Sequence, residues 1–412
     1  MAVAQGTTLD KFNALFAYLR ERVPFYAERL PEEPLSSLDE LAEVPFTLKD
    51  DFRDTYPFGL LAVPQDEVVR LHMSSGTTGK PVVTGYTRAD LDIWGECMER
   101  VLRMGEVTER DVVQNAYGYG LFTGGMGFHI GAERIGCTLV PTSSGVTARQ
   151  VMLMQDLGAT VLTCTPSYAL VLAEALAEEK IRQRLKLRVG FFGAEPWTEG
   201  MRRQIEGGLG LEAFDVFGLT ELGGPGVAVE CREHDGLHVF EDHFWAEAVD
   251  PESGHPVPPG AEGELVLTSL TRRASPVVRY RTRDRVFIHL DPCRCGNPFR
   301  RISKPRGRTD DMLIVRGVNV FPSTVEEILL SIAGLTGNYQ IVVDRTQRRH
   351  DAMQVLVEAE PGSNRDQLGH AAQERIKELI GLTVEVTVLT GGVLPRSEGK
   401  ASRVVDRREL QH

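Results

Sequence analysis

The sequence is short of everything that would put the chain across a membrane, outside a cell or on nucleic acid. No apolar run approaches the roughly 20 residues a bilayer span requires. The opening stretch MAVAQGTTLDKFNALF lacks the basic segment and apolar core of a secretory leader. Cysteine is sparse, six in 412 residues, which argues against a disulfide framework and suits a reducing cytoplasm. Positive charge is in the minority: 46 Lys and Arg against 58 Asp and Glu leave a net charge of −12. Such a surface repels polyanions, so nucleic acid is not expected as the main partner and any nucleotide site must be a local concentration of positive charge. There is no internal repeat and no low-complexity tract.

What is present is an ordinary globular composition over a length that exceeds one hydrophobic core, so two domains are expected. From about residue 70 to 290, short β-branched runs alternate with helical patterns. Thr87 can cap a helix whose apolar positions Leu91, Trp94, Met98 and Leu102 recur at helical spacing. VVQNAY, CTLVP, ATVLTCT, LRVGFFGAE and FDVFG read as strands separated by helices or glycine-rich loops, the rhythm of an α/β layered domain with largely parallel strands. Between 226 and 290 the pattern changes to paired strands with Gly and Pro turns, which predicts a β-rich subdomain. The last hundred residues form a separate α+β unit. Pro322, Ser323 and Glu326 predict a capping-box start to a helix ending at Leu330. QIVVD, MQVLVEA and VEVTVL predict strands, and Leu368, Ala372, Ile376 and Leu379 one face of a second helix ending near Gly381.

The segment MSSGTTGKPVV, residues 73–83, resembles a phosphate loop but departs from the usual nucleotide pattern, because two residues rather than four precede the GK pair and Pro81 follows Lys80. Ser74, Ser75, Thr77 and Thr78, with backbone N–H groups freed by Gly76 and Gly79, can wrap polyphosphate oxygens while Lys80 supplies charge. A plain connection between two strands is the competing reading. DVFGLTELGGPG places Glu221 just after a strand, where a carboxylate can hold magnesium or simply be solvated. YRTRD ends in Asp284 and GRTDD contributes Arg308; an acidic side chain can take ribose hydroxyls, and surface ion pairing accounts for the same charges. LPRSEGKASR sets Lys400 on a loop able to reach another domain, or leaves it in solvent. Cys231, His238, Cys293 and Cys295 can satisfy tetrahedral zinc as a closed structural site, with His234 as an alternative ligand, although CxC pairs also arise by chance.

In this order the motifs VPFYAERL, SSGTTGKPVVTGYT, AYGYGLFTGG, FFGAEPW, FGLTE, YRTRD, GRTDDMLIVRGVNVFPS and LPRSEGKASR resemble the adenylate-forming superfamily, specifically its phenylacetate:CoA ligase branch, over nearly the whole chain. The resemblance implies an α/β fold: a large N-terminal α/β domain, residues 1–308, carrying a β-rich subdomain, and a small mobile C-terminal α+β domain, residues 309–412. It implies that an aromatic carboxylate, phenylacetate-like or a substituted benzoate, attacks ATP to give an acyl-adenylate and pyrophosphate, after which CoA displaces AMP. Transfer to an amine, an alcohol or a carrier-protein thiol would use the same adenylation motifs, and a regulatory nucleotide binder would have lost the chemistry.

By resemblance, Lys400, Glu221 and Lys80 are catalytic, with Glu221 the Mg2+ ligand. ATP is bound by Ser74 to Gly79, Glu195, Pro196, Asp215, Phe217, Gly218, Thr220, Asp284 and Arg308. Tyr117, Tyr119, Phe122, Gly124, Phe128, Gly193 and Ala194 line the acyl pocket, where core packing of the aromatics is the alternative. Asp310 is the hinge, and Arg316, Gly317 and Val318 belong to the CoA tunnel. Some relatives in the branch carry a similar cysteine and histidine set, which favours zinc, and a homodimer is the family's habit. Two departures stand out: the chain begins close to VPFY, and Phe128 takes the place of a smaller residue, so a pocket it faced would favour a smaller or differently substituted acid.

Overall fold

Helix starts and close contacts explain most of the architecture. The computed structural model describes residues 7–74, 80–179, 184–309, 313–316, 318–345, 351–396 and 403–408. These fall into two compact units, one of Met1–Ser143, Val161–Thr163 and Phe214–Lys304, the other of Ser144–Thr160, Cys164–Ala213 and Pro305–His412. Among the described residues no helix is long and apolar enough to cross a membrane.

In the first unit Thr87 does cap the helix Arg88–Met104. Its hydroxyl accepts the Asp90 N–H at 3.1 Å, and the Asp90 carboxylate accepts the Thr87 N–H and hydroxyl at 2.8 Å each. The same carboxylate also accepts the N–H groups of Arg273 and Ala274, so a buried charge is fully used and the helix start is tied to a distant loop. Leu91, Trp94, Met98 and Leu102 are all buried, as their spacing predicts. Against this helix lies Thr123–Ile135, brought so near that a Cβ on Gly131 would stand 2.8 Å from the backbone of Met98. The parallel strands Val112–Asn115, Thr138–Val140 and Val161–Cys164 lie side by side, with Val112–Asn115 in the middle. An antiparallel run continues from residue 214 through Gly224–Glu230, Leu237–Val239, Arg301–Ile302 and Ile288–His289. A three-stranded antiparallel sheet, Phe244–Val249, Gly263–Ser269 and Tyr280–Val286, supplies the expected β-rich part.

The second unit contains the helices Thr147–Asp156, Pro166–Glu179 and Glu199–Leu209 and the buried strand Val189–Gly193. It also contains a four-stranded sheet in the order Glu385–Thr390, Asp351–Ala359, Leu335–Arg345, Val404–Asp406. Val325, Ile328 and Leu329 from the helix Pro322–Leu330, and Ala372 and Ile376 from Arg365–Ile380, close one core with Ile341, Val343, Val355 and Val357.

Two expectations fail here. Pro322 occupies the first helical turn, so Phe321 is the cap residue; Ser323 is already inside the helix and donates its hydroxyl to the Arg306 carbonyl at 3.1 Å. Glu326 is buried, and burial raises its carboxyl above the usual range. Leu379 is exposed, since three residues beyond Ile376 the helix face has turned out to solvent. The strand Val404–Asp406, which periodicity did not predict, pairs in parallel with Leu335–Arg345.

Gly131→Val should lower stability by about 1–3 kcal/mol, because the new side chain must displace helix backbone rather than a rotamer. Urea unfolding should show a lower midpoint with an unchanged slope; an unchanged midpoint would mean the two helices can part at no cost.

Candidate active site and metal centre

The hydroxyl-rich loop springs from an antiparallel pair, Arg70–Met73 and Val83–Tyr86. Its mouth is closed at one residue: the Ser74 N–H donates to the Val82 carbonyl and the Val82 N–H donates to the Ser74 hydroxyl, both at 3.0 Å. Ser75, Gly76, Thr77, Thr78 and Gly79 lie outside the described residues. Lys80 is exposed, its Nζ 5.4 Å from the centre of the Tyr56 ring. Beneath the strands a buried guanidinium, Arg272, donates to the Thr84 hydroxyl at 3.0 Å, the Gly85 carbonyl at 2.9 Å and the Glu221 carbonyl at 3.4 Å. It also lies over the Tyr86 ring. One cation thus joins the base of the loop to the turn that carries Glu221.

That turn, Thr220–Leu222, follows directly on the strand ending at Leu219. Glu221 is 5 % exposed, and among the described residues no hydrogen bond or ion pair reaches its carboxylate. A buried carboxylate is an oxygen donor of the kind that suits a hard cation such as magnesium. Gly218 is required by close approach, for a Cβ there would meet the Gly224 carbonyl at 2.1 Å. Phe217 is half-buried and Thr220 buried. The Asp215 N–H donates to buried Glu230 at 2.8 Å, and Lys304 Nζ stands 3.9 Å from Asp215 and 3.6 Å from Glu230. Asp284 is buried, its N–H donating to the Thr282 hydroxyl, while Arg281 and Arg283 of the same segment pair with buried Glu264.

The aromatic segment packs tightly. Tyr117 and Phe128 are both buried and stacked, 5.3 Å between centroids at 4°, so the Phe128 ring lies against Tyr117. Asn115 organises the rest: its Nδ2 donates to Tyr119 Oη at 2.8 Å and to the Gly125 carbonyl at 2.7 Å, and its Oδ1 accepts the Thr163 hydroxyl at 2.9 Å. Burial pushes the Tyr119 phenol up to about 12, so it keeps its proton and can donate to His129 Nδ1 at 3.2 Å, with His129 Nε2 3.1 Å from Glu133. Phe122 is partly exposed at the start of the helix Thr123–Ile135, with Gly124 directly beneath its ring.

In the second unit Gly193 ends a buried strand and Ala194 follows at φ +72°, a left-handed residue that turns the chain sharply before Glu195 and exposed Pro196. The Glu195 carboxylate accepts the Ser167 N–H at 2.7 Å, and Arg403 reaches the Ser167 hydroxyl at 3.4 Å. Arg308 is half-buried. Arg316, at φ +52°, donates from Nε to the Asp351 carbonyl, and Val318 begins the second strand of the hairpin Leu313–Val315 and Val318–Val320. Asp310, Gly317 and Lys400 lie outside the described residues.

Cys231, His238, Cys293 and Cys295 converge, their ligand atoms all within 4.8 Å of one another. The Cys231 and Cys293 sulfurs are 3.6 Å apart, and Cys295 Sγ is 3.3 Å from His238 Nε2. His238 Nδ1 donates to the Phe299 carbonyl at 2.9 Å, which leaves Nε2 as the nitrogen that could coordinate a metal. His234, the alternative donor, is not in the cluster. It faces Glu230 at 3.5 Å and packs on Phe214. Burial pushes the Cys231 thiol up to about 12, so a thiolate there calls for a cation. In a second acidic group, Glu96, Asp242 and His243, both carboxylates already pair with Arg100, which reaches Glu96 at 2.5 Å and Asp242 at 2.7 Å.

Sequence reasoning overlooked Arg272, Asn115, Ser167, Glu230 and Lys304. Each has at least one partner more than ten residues away in the chain, and no local pattern marks them.

The AMP-binding enzyme family model matches residues 26–271, and the AMP-binding enzyme C-terminal domain model matches residues 317–408. The phenylacetate-coenzyme A ligase of Thermus thermophilus is 46% identical over 97% of this chain and 96% of its own. A crystal structure of 2-hydroxyisobutyryl-CoA ligase in the postadenylation state, in complex with 2-HIB-AMP, is 28% identical and superposes with a TM-score of 0.91 over 98% of this chain and 89% of that one. The same ligase with 2-HIB-AMP and CoA in the thioesterification state gives a TM-score of 0.71 over the same shares.

Arg272→Met should cost about 1.5–3 kcal/mol, the scale of hydrogen bonds to a charged group, since methionine fills the volume but satisfies no acceptor. The loss should appear in urea unfolding and be accompanied by weaker ATP binding; full stability in the variant would show that Arg272 does not hold the Glu221 turn.

Proposed function

The chain belongs to the AMP-binding enzyme family, and from that premise we propose that it activates phenylacetate with ATP and passes the acyl group to CoA, releasing AMP and pyrophosphate. The observation that carries this reading is near-complete coverage at 46% identity to a ligase of that specificity, together with matches to both family models. It is an acid–thiol ligase of the AMP-forming kind.

The acid is already ionised at neutral pH, so no general base is needed. The obstacle is repulsion between the carboxylate and the triphosphate, and the catalytic task is to spread cationic charge over the reacting atoms. Lys400 bridges the acid carboxylate and the α-phosphate, while Lys80 and the hydroxyls and amides of Ser74 to Gly79 take the β and γ phosphates. Magnesium, held by the Glu221 carboxylate, would neutralise phosphate charge. Glu195, Pro196, Asp215, Phe217, Gly218 and Thr220 receive the adenine end, and Asp284 and Arg308 are assigned to the ribose. Tyr117, Tyr119, Phe122, Gly124, Phe128, Gly193 and Ala194 shape the acyl pocket, where flat rings suit an aryl acid.

Residues 309–412 then turn about Asp310, withdrawing Lys400 and bringing Arg316, Gly317 and Val318 to the thiol path. Support for two arrangements comes from 2-hydroxyisobutyryl-CoA ligase, solved in a postadenylation and a thioesterification state. Cys231, His238, Cys293 and Cys295 hold a structural zinc, because four such donors leave no open position for substrate. The small number of cysteines suits a cytoplasmic enzyme.

The reading is tested by AMP formation from phenylacetate and ATP, with and without CoA; no turnover of phenylacetate would reject it. Lys400→Ala should slow adenylation by about a hundredfold or more, while phenylacetyl-adenylate supplied ready-made still reacts with CoA. If both half-reactions keep their rates, the lysine has another role. Freshly purified protein should contain one zinc per chain, and chelation should lower its melting temperature; metal-free protein of full stability would remove the zinc.

A further inference from the structure

Arg396, four residues before Lys400, binds two carboxylates at once. Its Nη1 and Nη2 form a fork onto Glu358 at 3.0 and 2.7 Å, and its Nε and Nη2 reach Glu174 at 3.1 and 3.3 Å. All three residues lie in the second compact unit. Glu358 sits on the strand Asp351–Ala359, within the stretch matched by the C-terminal domain model. Glu174 sits on the helix Pro166–Glu179, within the stretch matched by the AMP-binding enzyme model. A second group from the C-terminal stretch, Asn338, donates to Glu174 at 2.7 Å.

The two carboxylates are not equivalent. The Glu358 side chain is 1% exposed and also accepts the Leu394 N–H at 2.7 Å. Burial raises its carboxyl, but the bonds from Arg396 and the backbone outweigh this and hold it below the usual range. Separating Arg396 from Glu358 would strand a buried charge, which is costly. The Glu174 side chain is 43% exposed, so water can replace Arg396 there with little loss. One guanidinium therefore has a permanent partner and an exchangeable one.

We propose that Glu174 is the positioning residue that docks the C-terminal domain for adenylation: it holds Arg396 and Asn338 in that arrangement and releases both when the domain turns, while the Arg396–Glu358 pair travels intact. The inference rests on the two-arrangement reading above. Glu174 touches no substrate in this account; it biases a conformational equilibrium. Its removal should therefore divide the two half-reactions, which a general loss of structure would not do.

The test uses the full-length enzyme in two assays, phenylacetate-dependent ATP–pyrophosphate exchange and phenylacetyl-CoA formation from supplied phenylacetyl-adenylate. Glu174→Gln should slow the first by about threefold to tenfold, the range of a partly exposed ion pair within a small network, and leave the second at or above the wild-type rate. Glu174→Lys, which sets a like charge against Arg396, should deepen the first defect without lowering the second. Equal rates in both assays for both variants, or a parallel fall in both assays at an unchanged melting temperature, would overturn the docking role. If the wild-type enzyme itself shows no phenylacetate-dependent exchange, the functional reading fails instead, so the two failures are distinguishable.

Discussion

A guanidinium leaves water cheaply only when acceptors for its N–H groups go with it, and this constraint ties distant segments of the molecule together. Arg279 and Arg301 are among its largest fully buried side chains. Arg279 gathers the carbonyls of Ala42 and Val44 and the carboxylate of Glu247, and lies over the Phe46 ring, so an early loop is fastened to the β-rich sheet. Arg301 is fixed by Asp235 on one side and Asp291 on the other. Asp235 lies between Cys231 and His238 in the chain, and Asp291 stands two residues before Cys293. Arg301 also faces His238 across the strand pair. The two halves of the Cys and His cluster, some sixty residues apart, are thus brought together by an ion-paired strand.

The same logic sets what could be read from the sequence. Helix starts written in neighbouring residues were legible, as with Thr87 and Asp90, because both partners lie within one turn. The ordered motifs, the alternating strands and the change to paired strands after residue 226 were legible for the same reason. Arg272 and its acceptors at Thr84 and Gly85 were not, since nothing local distinguishes a buried arginine from a solvated one. The choice between His234 and His238 also needed the fold. His238 is placed by its register opposite Arg301, while His234 sits on a turn at φ +47° that directs it to Glu230. At Ser323 the local signal misled: a serine three residues before a glutamate suggests a capping box, but the preceding proline had already started the helix.

Backbone conformation adds to the picture at some of these segments. Eight described residues other than glycine have positive φ, and four of them, Ala194, Arg279, Arg283 and Arg316, lie in or beside the GAEPW, YRTRD and RGVNVF motifs. Each such residue costs of order 1–3 kcal/mol relative to a relaxed backbone, and persists where surrounding contacts over-determine it. Those contacts are visible: Arg279 is locked by Glu247, Arg283 faces Glu264, and Arg316 is anchored on the Asp351 carbonyl.

Ala194 has no comparable side-chain anchor, being held by the buried strand before it and by Glu195 on the Ser167 amide after it. Placing strain at these points makes sense if the bends must present backbone and short side chains at fixed positions, which a relaxed strand or helix end would not do. Rigid burial of charge and local backbone strain are then two parts of one arrangement. The ion pairs supply the stability that allows the bends to persist, and the bends fix where backbone and short side chains are presented.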